Sequence, residues 1–393
     1  MRRTYDEYKR LFAGIPMPFA FLDLDMLDQN AVDMAAVAGG KRIRIATKSI
    51  RSVEVLRRLL TVSPVYKGLM CFTAEEADFL AAQGFDDLLL GYPQGQPAAV
   101  GRLLERVAEG QTITFMVDSL EQAERLANMG REKGTVVPIC LDLDLSVSYP
   151  GLRFGVWRSP LSSWLNLKPV AEGIAGNKWL RLDGLMGYEA QVAGVADRVP
   201  GQGLRSGFIR LLKKRAVQES ARRRREAVQG LREMGVELRF VNAGGTGSLD
   251  SSSKEPWVTE VTAGSGLALF DHYSSFRYQP AAGFAVEVVR QPRADIVTCL
   301  GGGYSASGSA GSDRLPTPYL PEGLSLFPLE GAGEVQTPLR CKDDVKLVQG
   351  DPVFFRHAKA GELCERFPIL YTVSQGSMTG TYFTYRGMGE CFL

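Results

Sequence analysis

Few side chains in this sequence are equipped for chemistry, and their scarcity narrows the choice. There are two histidines, His272 and His357. A Ser-His-Asp triad or a three-histidine metal site therefore lacks parts unless carboxylates or thiols fill in. Six cysteines stand at positions 71, 140, 299, 341, 364 and 391, with no CxxC pair. That spacing argues against a zinc ribbon or a disulfide framework and for reduced thiols in a cytoplasmic protein. Lys48 closes the apolar run 42–48, RIRIATK. A lysine ending a buried strand either carries its ammonium out to solvent or is desolvated, and desolvation favours the neutral amine that attacks a carbonyl. Two turns of small residues lie further on, 243–248 (AGGTGS) and 263–266 (AGSG). Consecutive backbone N–H groups at Gly244, Gly245, Thr246, Gly264 and Ser265, with nearby hydroxyls, suit a phosphate. Neither GxxxxGK[ST] nor a strand-following GxGxxG occurs, so a nucleotide P-loop is not indicated and a Rossmann dinucleotide site is argued against.

These residues need elements to carry them. Runs with strand character occupy 19–25, 42–48, 68–73, 87–92, 112–118, 136–145, 180–188 and 237–245, and helical spacing fills most of the gaps. Thr73 with Glu76, and Ser119 with Gln122, read as helix N-caps, closed by Gly84 and Gly130. Strand–helix alternation with apolar strands predicts a parallel sheet, and eight units predict a closed (β/α)8 barrel of the TIM type. Residues 146–167 and 192–236 are insertions; the second carries a basic run, LLKKRAVQESARRRREAV, read as a solvated helix face rather than a nucleic-acid patch. After residue 270 helical spacing gives way to strand-like runs at 284–291, 294–300, 345–355 and 368–375. The expected division is therefore an N-terminal segment 1–16, a barrel 17–270 and a C-terminal antiparallel β domain 271–393. A net charge of +2 and the lack of a long apolar run point away from nucleic acid and membrane as partners.

The strand-one sequence 22–25 (LDLD), the lysine ending strand two and the glycine-rich turn after strand eight, in that order, resemble the fold-type III pyridoxal-phosphate enzymes. Within them the chain is most similar to the D-threonine aldolase and D-serine dehydratase branch, with alanine racemase among its relatives. The resemblance implies pyridoxal 5'-phosphate joined to Lys48, its phosphate in the cup formed by Gly244, Gly245, Thr246, Gly264 and Ser265, and Tyr188 against its ring. It places Arg153 on the phenolic oxygen. It implies an aldolase or dehydratase acting on a D-β-hydroxy amino acid, with an amino-acid racemase or a non-catalytic cofactor-holding protein as alternatives, and a homodimer. His357 matches the branch's functional histidine. The branch places a metal-binding Asp or Cys two residues after it; here that residue is Lys359, which cannot be a ligand while protonated. A divalent metal on His357 with Cys364 or Glu362 requires the chain to turn back at Gly361, so the metal stays doubtful and His357 stands equally as an acid, a base or a substrate contact. Tyr304 is a further candidate opposite Lys48, and His272 reads as a hydrogen-bonding residue at the domain junction.

Overall fold

Eight short parallel strands close on themselves in the computed structural model, which describes residues 3–195, 197, 203–268, 278–308 and 311–393. In chain order they are Arg42–Ala46, Tyr66–Cys71, Leu88–Leu90, Ile113–Val117, Val137–Asp142, Leu180–Gly187, Phe240–Ala243 and Glu260–Ala263, the last pairing with the first. The (β/α)8 barrel is thus present, with one exchange of parts. The apolar run predicted as its first strand, 19–25, instead gives strand Phe19–Asp23 of a second sheet, antiparallel to Ala282–Arg293 and parallel to Ile369–Ser374, and passes into a helix at Leu24. The eighth barrel strand is Glu260–Ala263, which in the sequence reads as the approach to a turn. A fully buried five-residue run marks a central strand but does not say of which sheet.

Helices follow where the caps predict them. Thr73 Oγ1 accepts from the Glu76 N–H at 3.1 Å and Ser119 Oγ from the Gln122 N–H at 3.3 Å. The first of these helices ends as expected, with Gly84 at φ +85° just past it. The second runs beyond Gly130 to Lys133 and ends on the left-handed Gly134. Gly130 serves packing instead, since a Cβ there would come within 2.7 Å of Val137.

The second sheet has nine strands, antiparallel except for the Phe19–Asp23 pairing with Ile369–Ser374. Helix Tyr5–Leu11 covers one face of it, packing Tyr8 and, just past its end, Phe12 at a tilt against Phe21 and Phe354. The expected boundary at 270–271 and His272 lie outside the described residues.

The barrel interior is partly ionic. Arg44, fully buried, pairs through Nε with Glu260 at 2.8 Å and through Nη2 with Asp87 at 3.1 Å. Asp87 also takes Arg239 at 2.9 Å, and Arg239 reaches Asp183 at 2.8 Å and the Thr114 hydroxyl at 3.0 Å. The two guanidiniums lie over the Phe240 ring at 5.3 and 4.9 Å. Glycines make the room: a Cβ on Gly184 would overlap that ring, and one on Gly68 (φ +75°) would sit 2.6 Å from Arg44 Nη1.

Removing one member leaves buried charges uncompensated. Arg44→Met is expected to lower unfolding free energy by about 3–5 kcal/mol in urea titrations. Arg222→Met, on the exposed face of helix Gly203–Glu233, should stay within about 0.5 kcal/mol. Equal losses in both variants would remove the structural role assigned to Arg44.

Candidate active site

Lys48 sits in a single 3-10 turn, Thr47–Ser49, just past the first barrel strand. Thr47 Oγ1 donates to the Met70 carbonyl at 2.9 Å and Arg51 Nε to the Lys48 carbonyl at 2.9 Å. Arg51 holds a left-handed backbone, φ +54°, and its Nη1 bonds Glu365 at 2.6 Å. Gly361 lies against the far side of the turn, where any side chain would overlap the Lys48 carbonyl. With its backbone held from three directions, Lys48 extends its side chain into the open mouth of the barrel. The amine is exposed there rather than desolvated as a buried strand end would be, and Nζ donates to Tyr92 Oη at 3.1 Å.

Tyr92 follows the third barrel strand. Burial pushes its phenol up, but the charge and hydrogen bond of Lys48, with Arg158 beyond, outweigh this and bring it below the ordinary tyrosine value. The Arg158 guanidinium lies 5.1 Å from the Tyr92 ring and 5.9 Å from that of Tyr188. It is aimed by two bonds, to Asp142 Oδ2 at 2.7 Å and to the Gly91 carbonyl at 2.8 Å. Asp142 ends the fifth strand; burial pushes its carboxyl up to about 6 despite Arg158.

The opposite wall is made of the two small-residue turns. Gly244 has φ +87°. A Cβ on Gly245 would come within 2.9 Å of the Tyr188 ring, and one on Gly264 within 2.8 Å of Ser49 Oγ. Thr246 Oγ1 laces the turns together, accepting from the Gly266 N–H at 3.0 Å and the Ser265 hydroxyl at 3.1 Å. Arg224 lies beneath them, wholly buried, bonding Glu189 Oε2 at 2.7 Å, Glu255 and the Gly187 carbonyl. Glu189 in turn accepts from Ser252. The basic run is therefore only partly a solvated face. Arg222 is exposed and pairs with the half-buried Glu219 and Glu226, whereas Arg224 supports the cleft wall and Arg223 donates to the Asp144 and Ser146 carbonyls.

Lys48, Tyr188, Gly244, Gly245, Thr246, Gly264 and Ser265 all line one cleft of about 640 Å³. Arg153 does not. It lies on the hairpin Val147–Tyr149/Leu152–Phe154, bonds Asp144 at 2.8 Å and stacks on Trp157 at 4.1 Å. Arg158, five residues on, lines the cleft instead. Sequence reasoning passed over Arg158, Tyr92 and Asp142, although Tyr92 and Asp142 stand at strand ends.

His357 and Cys364 do not converge. The His357 ring Nδ1 is 2.7 Å from the Lys359 carbonyl, while Cys364 Sγ donates to the Ile50 carbonyl at 3.3 Å. Burial lowers the His357 pKa below the ordinary histidine value. Glu362 accepts from the Ser307 N–H at 2.8 Å, and Lys359 Nζ donates to the Ser307 hydroxyl at 2.8 Å. Among the described residues no three His, Cys, Asp or Glu side chains gather where a metal ion could be held. The donor set does not fit a metal. Tyr304 packs edge-on against Phe284 and Phe367 rather than lining the cleft.

The family model described as alanine racemase, N-terminal domain, matches residues 22–270. The 3-hydroxy-D-aspartate aldolase of Paracoccus denitrificans (strain Pd 1222) is 27% identical over 253 residues, 64% of this chain and 60% of that enzyme. The D-threo-3-hydroxyaspartate dehydratase of Delftia sp. (strain HT23) is 26% identical over 254 residues, 63% of this chain and 60% of its own length. The matched segment thus spans about three fifths of these curated relatives. Among solved structures, D-threonine aldolase from Filomicrobium marinum superposes with a TM-score of 0.79 at 17% identity, covering 96% of both chains. The Delftia dehydratase does so at 0.75 and 20%, covering 94% of this chain and 98% of that one. These structures share the fold.

The lowered Tyr92 pKa means that its phenolate forms at lower pH than an ordinary tyrosine's. Ultraviolet titration of the ligand-free chain should show an early tyrosinate step that disappears in Tyr92→Phe and moves up in Lys48→Met. An early step unaffected by either substitution would place it on another tyrosine.

Proposed function

On the footing that the chain belongs to the alanine racemase N-terminal domain family, we propose that it is a pyridoxal-phosphate-dependent lyase, an aldolase or dehydratase, acting on a D-β-hydroxy amino acid. The observation that carries this reading is the Lys48 amine facing, across one cleft, two glycine turns laced by Thr246. Lys48 would hold the cofactor covalently, with Gly244, Gly245, Thr246, Gly264 and Ser265 receiving its phosphate and Tyr188 its ring. The fit is supported by turns in which Gly245 and Gly264 leave no space for a Cβ. Arg158, aimed by Asp142, takes the phenolic-oxygen role that the family resemblance implied for Arg153. When bound, this cofactor withdraws electrons from the substrate Cα so that a bond there can break.

The remaining work falls to the chain. Lys48 Nζ and Tyr92 Oη, 3.1 Å apart, form an acid–base pair able to hold a proton taken from Cα or from the β-hydroxyl. The Lys48 charge and hydrogen bond, followed by those of Arg158, lower the Tyr92 phenol against its burial. No step is routed through a metal, because the donor set at His357 does not fit one. Two coarser features complete the reading. Six free thiols, five of them buried, support a reducing, cytoplasmic location. Leu204, Phe208 and Leu211 form an exposed apolar stripe on the long helix, which supports a homodimer. No described helix is long and apolar enough to cross a membrane.

Borohydride reduction of cofactor-loaded protein followed by peptide mapping should place the adduct on Lys48; an adduct elsewhere, or none, rejects the assignment. A screen of D- and L-amino acids should find turnover of a D-β-hydroxy amino acid, unchanged by chelator. Arg158→Met should weaken cofactor affinity about 10- to 100-fold, the worth of a charge-assisted hydrogen bond, with Arg153→Met near wild type. The reverse order would return the role to Arg153.

A further inference from the structure

Two polar side chains at the base of the cleft have no part in the reading above: Asn242 in the seventh barrel strand and Thr262 in the eighth. The cleft residues Ala46, Met70 and Met186 bring only apolar side chains. Glu260 stands two residues before Thr262 on the same strand, so both side chains point the same way, one layer apart. Across the strand pair, Asn242 lies in register with Glu260.

The layer below decides which way the protons point. The Glu260 carboxylate accepts from Arg44 Nε at 2.8 Å and Nη2 at 3.1 Å, and from the Asn242 amide nitrogen at 2.8 Å. A carboxylate meets only the NH2 end of an amide, so the orientation of Asn242 follows from its partner. The amide oxygen is thereby turned to Thr262, 3.0 Å from its Oγ1. An amide oxygen only accepts, so the Thr262 hydroxyl donates. A hydroxyl has one proton. With that proton committed to Asn242, Thr262 turns only lone pairs to the cleft. Asn242 is 1% exposed and Thr262 7%, so Thr262 is the member that a ligand reaches.

The other polar groups lining the cleft already have ligand atoms or partners. Lys48 is bonded to Tyr92, Arg158 is aimed by Asp142, and Thr246 laces the glycine turns to Ser265. Ser49 belongs to the Lys48 turn itself. In pyridoxal phosphate the ring nitrogen stands across the ring from the carbon that joins a lysine. With the phosphate at the glycine turns and the phenolic oxygen at Arg158, Thr262 is the hydroxyl left for the nitrogen.

We propose that Thr262 is an acceptor-only contact for the cofactor's ring nitrogen, held so by Asn242 and Glu260, and that it selects the ring carrying a proton there. The proposal rests on the cofactor reading given above. A neutral pyridine nitrogen would set lone pair against lone pair, whereas a protonated one donates. A protonated ring withdraws electrons more strongly from the substrate, so a hydrogen bond at this atom tunes the cofactor. The buried Arg44–Glu260 pair thus acts on the cleft through one amide and one hydroxyl, neither of which changes its own charge.

Pyridoxine 5'-phosphate, which has no aldehyde, and its analogue with C–H in place of the ring nitrogen separate this contact from attachment at Lys48. By fluorescence titration near neutral pH, wild type should bind the nitrogen form about 10- to 100-fold more tightly, the worth of a hydrogen bond to a charged group. Thr262→Ser should keep that preference and Thr262→Val should lose it. In cofactor-loaded protein, nitrogen-15 NMR of ring-labelled pyridoxal phosphate, above the pKa of the free ring nitrogen, should show a protonated nitrogen. Thr262→Val should return it to the unprotonated form. Asn242→Leu frees the Thr262 proton to turn toward the cleft, so the signal should move toward the unprotonated form while the preference for nitrogen over C–H remains. A wild type that binds the two analogues equally, binds neither, or holds an unprotonated nitrogen overturns the proposal, as does an Asn242→Leu signal unchanged from wild type. If Asn242→Leu does not fold, the two Thr262 variants decide. Failure of pyridoxal phosphate to join Lys48 rejects the functional reading alone, since the two analogues never join it and still test Thr262.

Discussion

The carboxylate of Glu260 joins the ionic interior of the barrel to its cleft. On one side it takes Arg44 at 2.8 and 3.1 Å, and on the other the Asn242 amide at 2.8 Å. Asn242 then accepts from the Thr262 hydroxyl at 3.0 Å, and both Asn242 and Thr262 line the cleft. A column of hydrogen bonds therefore runs along the barrel axis through its first, seventh and eighth strands. Buried ions gain nothing over well-packed apolar side chains unless every partner is present, but a complete set admits very few strand registers. The glycines at 68 and 184 belong to the same constraint, because the guanidinium and the ring that occupy their places are the parts that hold the column.

The cleft depends equally on the second sheet. The Lys48 turn is not self-supporting. Its carbonyl is held by Arg51, whose positive φ is maintained by Glu365 and by the Tyr385 N–H bonded to the Arg51 carbonyl at 2.9 Å. Gly361 completes the seat. Barrel strands thus supply the cleft's walls, and the C-terminal segment fixes the backbone that presents the amine.

How much of this was legible depends on whether the signal was local. Lys48 and the glycine turns could be read because strand ends and positive-φ or close-packed glycines leave marks on the adjacent sequence. The count of eight barrel strands was right although Phe19–Asp23 stood in for Glu260–Ala263, since an apolar run reports burial and not partnership. Arg153 and Arg158 differ by five residues in an insertion, and only the fold decides that Asp142 aims one while Asp144 draws the other aside. The burial of Arg224 was illegible for the same reason: its partners Glu189 and Glu255 lie over thirty residues away.

Strand Phe19–Asp23 also imposes an order on synthesis. It is made before both its neighbours, Ala282–Arg293 and Ile369–Ser374, which come hundreds of residues later. By the time they emerge, every strand of the barrel has already left the ribosome. Once Ala263 has been made, the chain therefore carries a complete set of barrel strands with one buried, largely apolar strand still unclaimed. That strand is open to wrong partners until Ala282–Arg293 and then Ile369–Ser374 arrive. Non-local closure of this kind is slow, and here it is also the closure that seats the Lys48 turn. The moment of danger for aggregation and the moment at which the cleft acquires its shape are the same event.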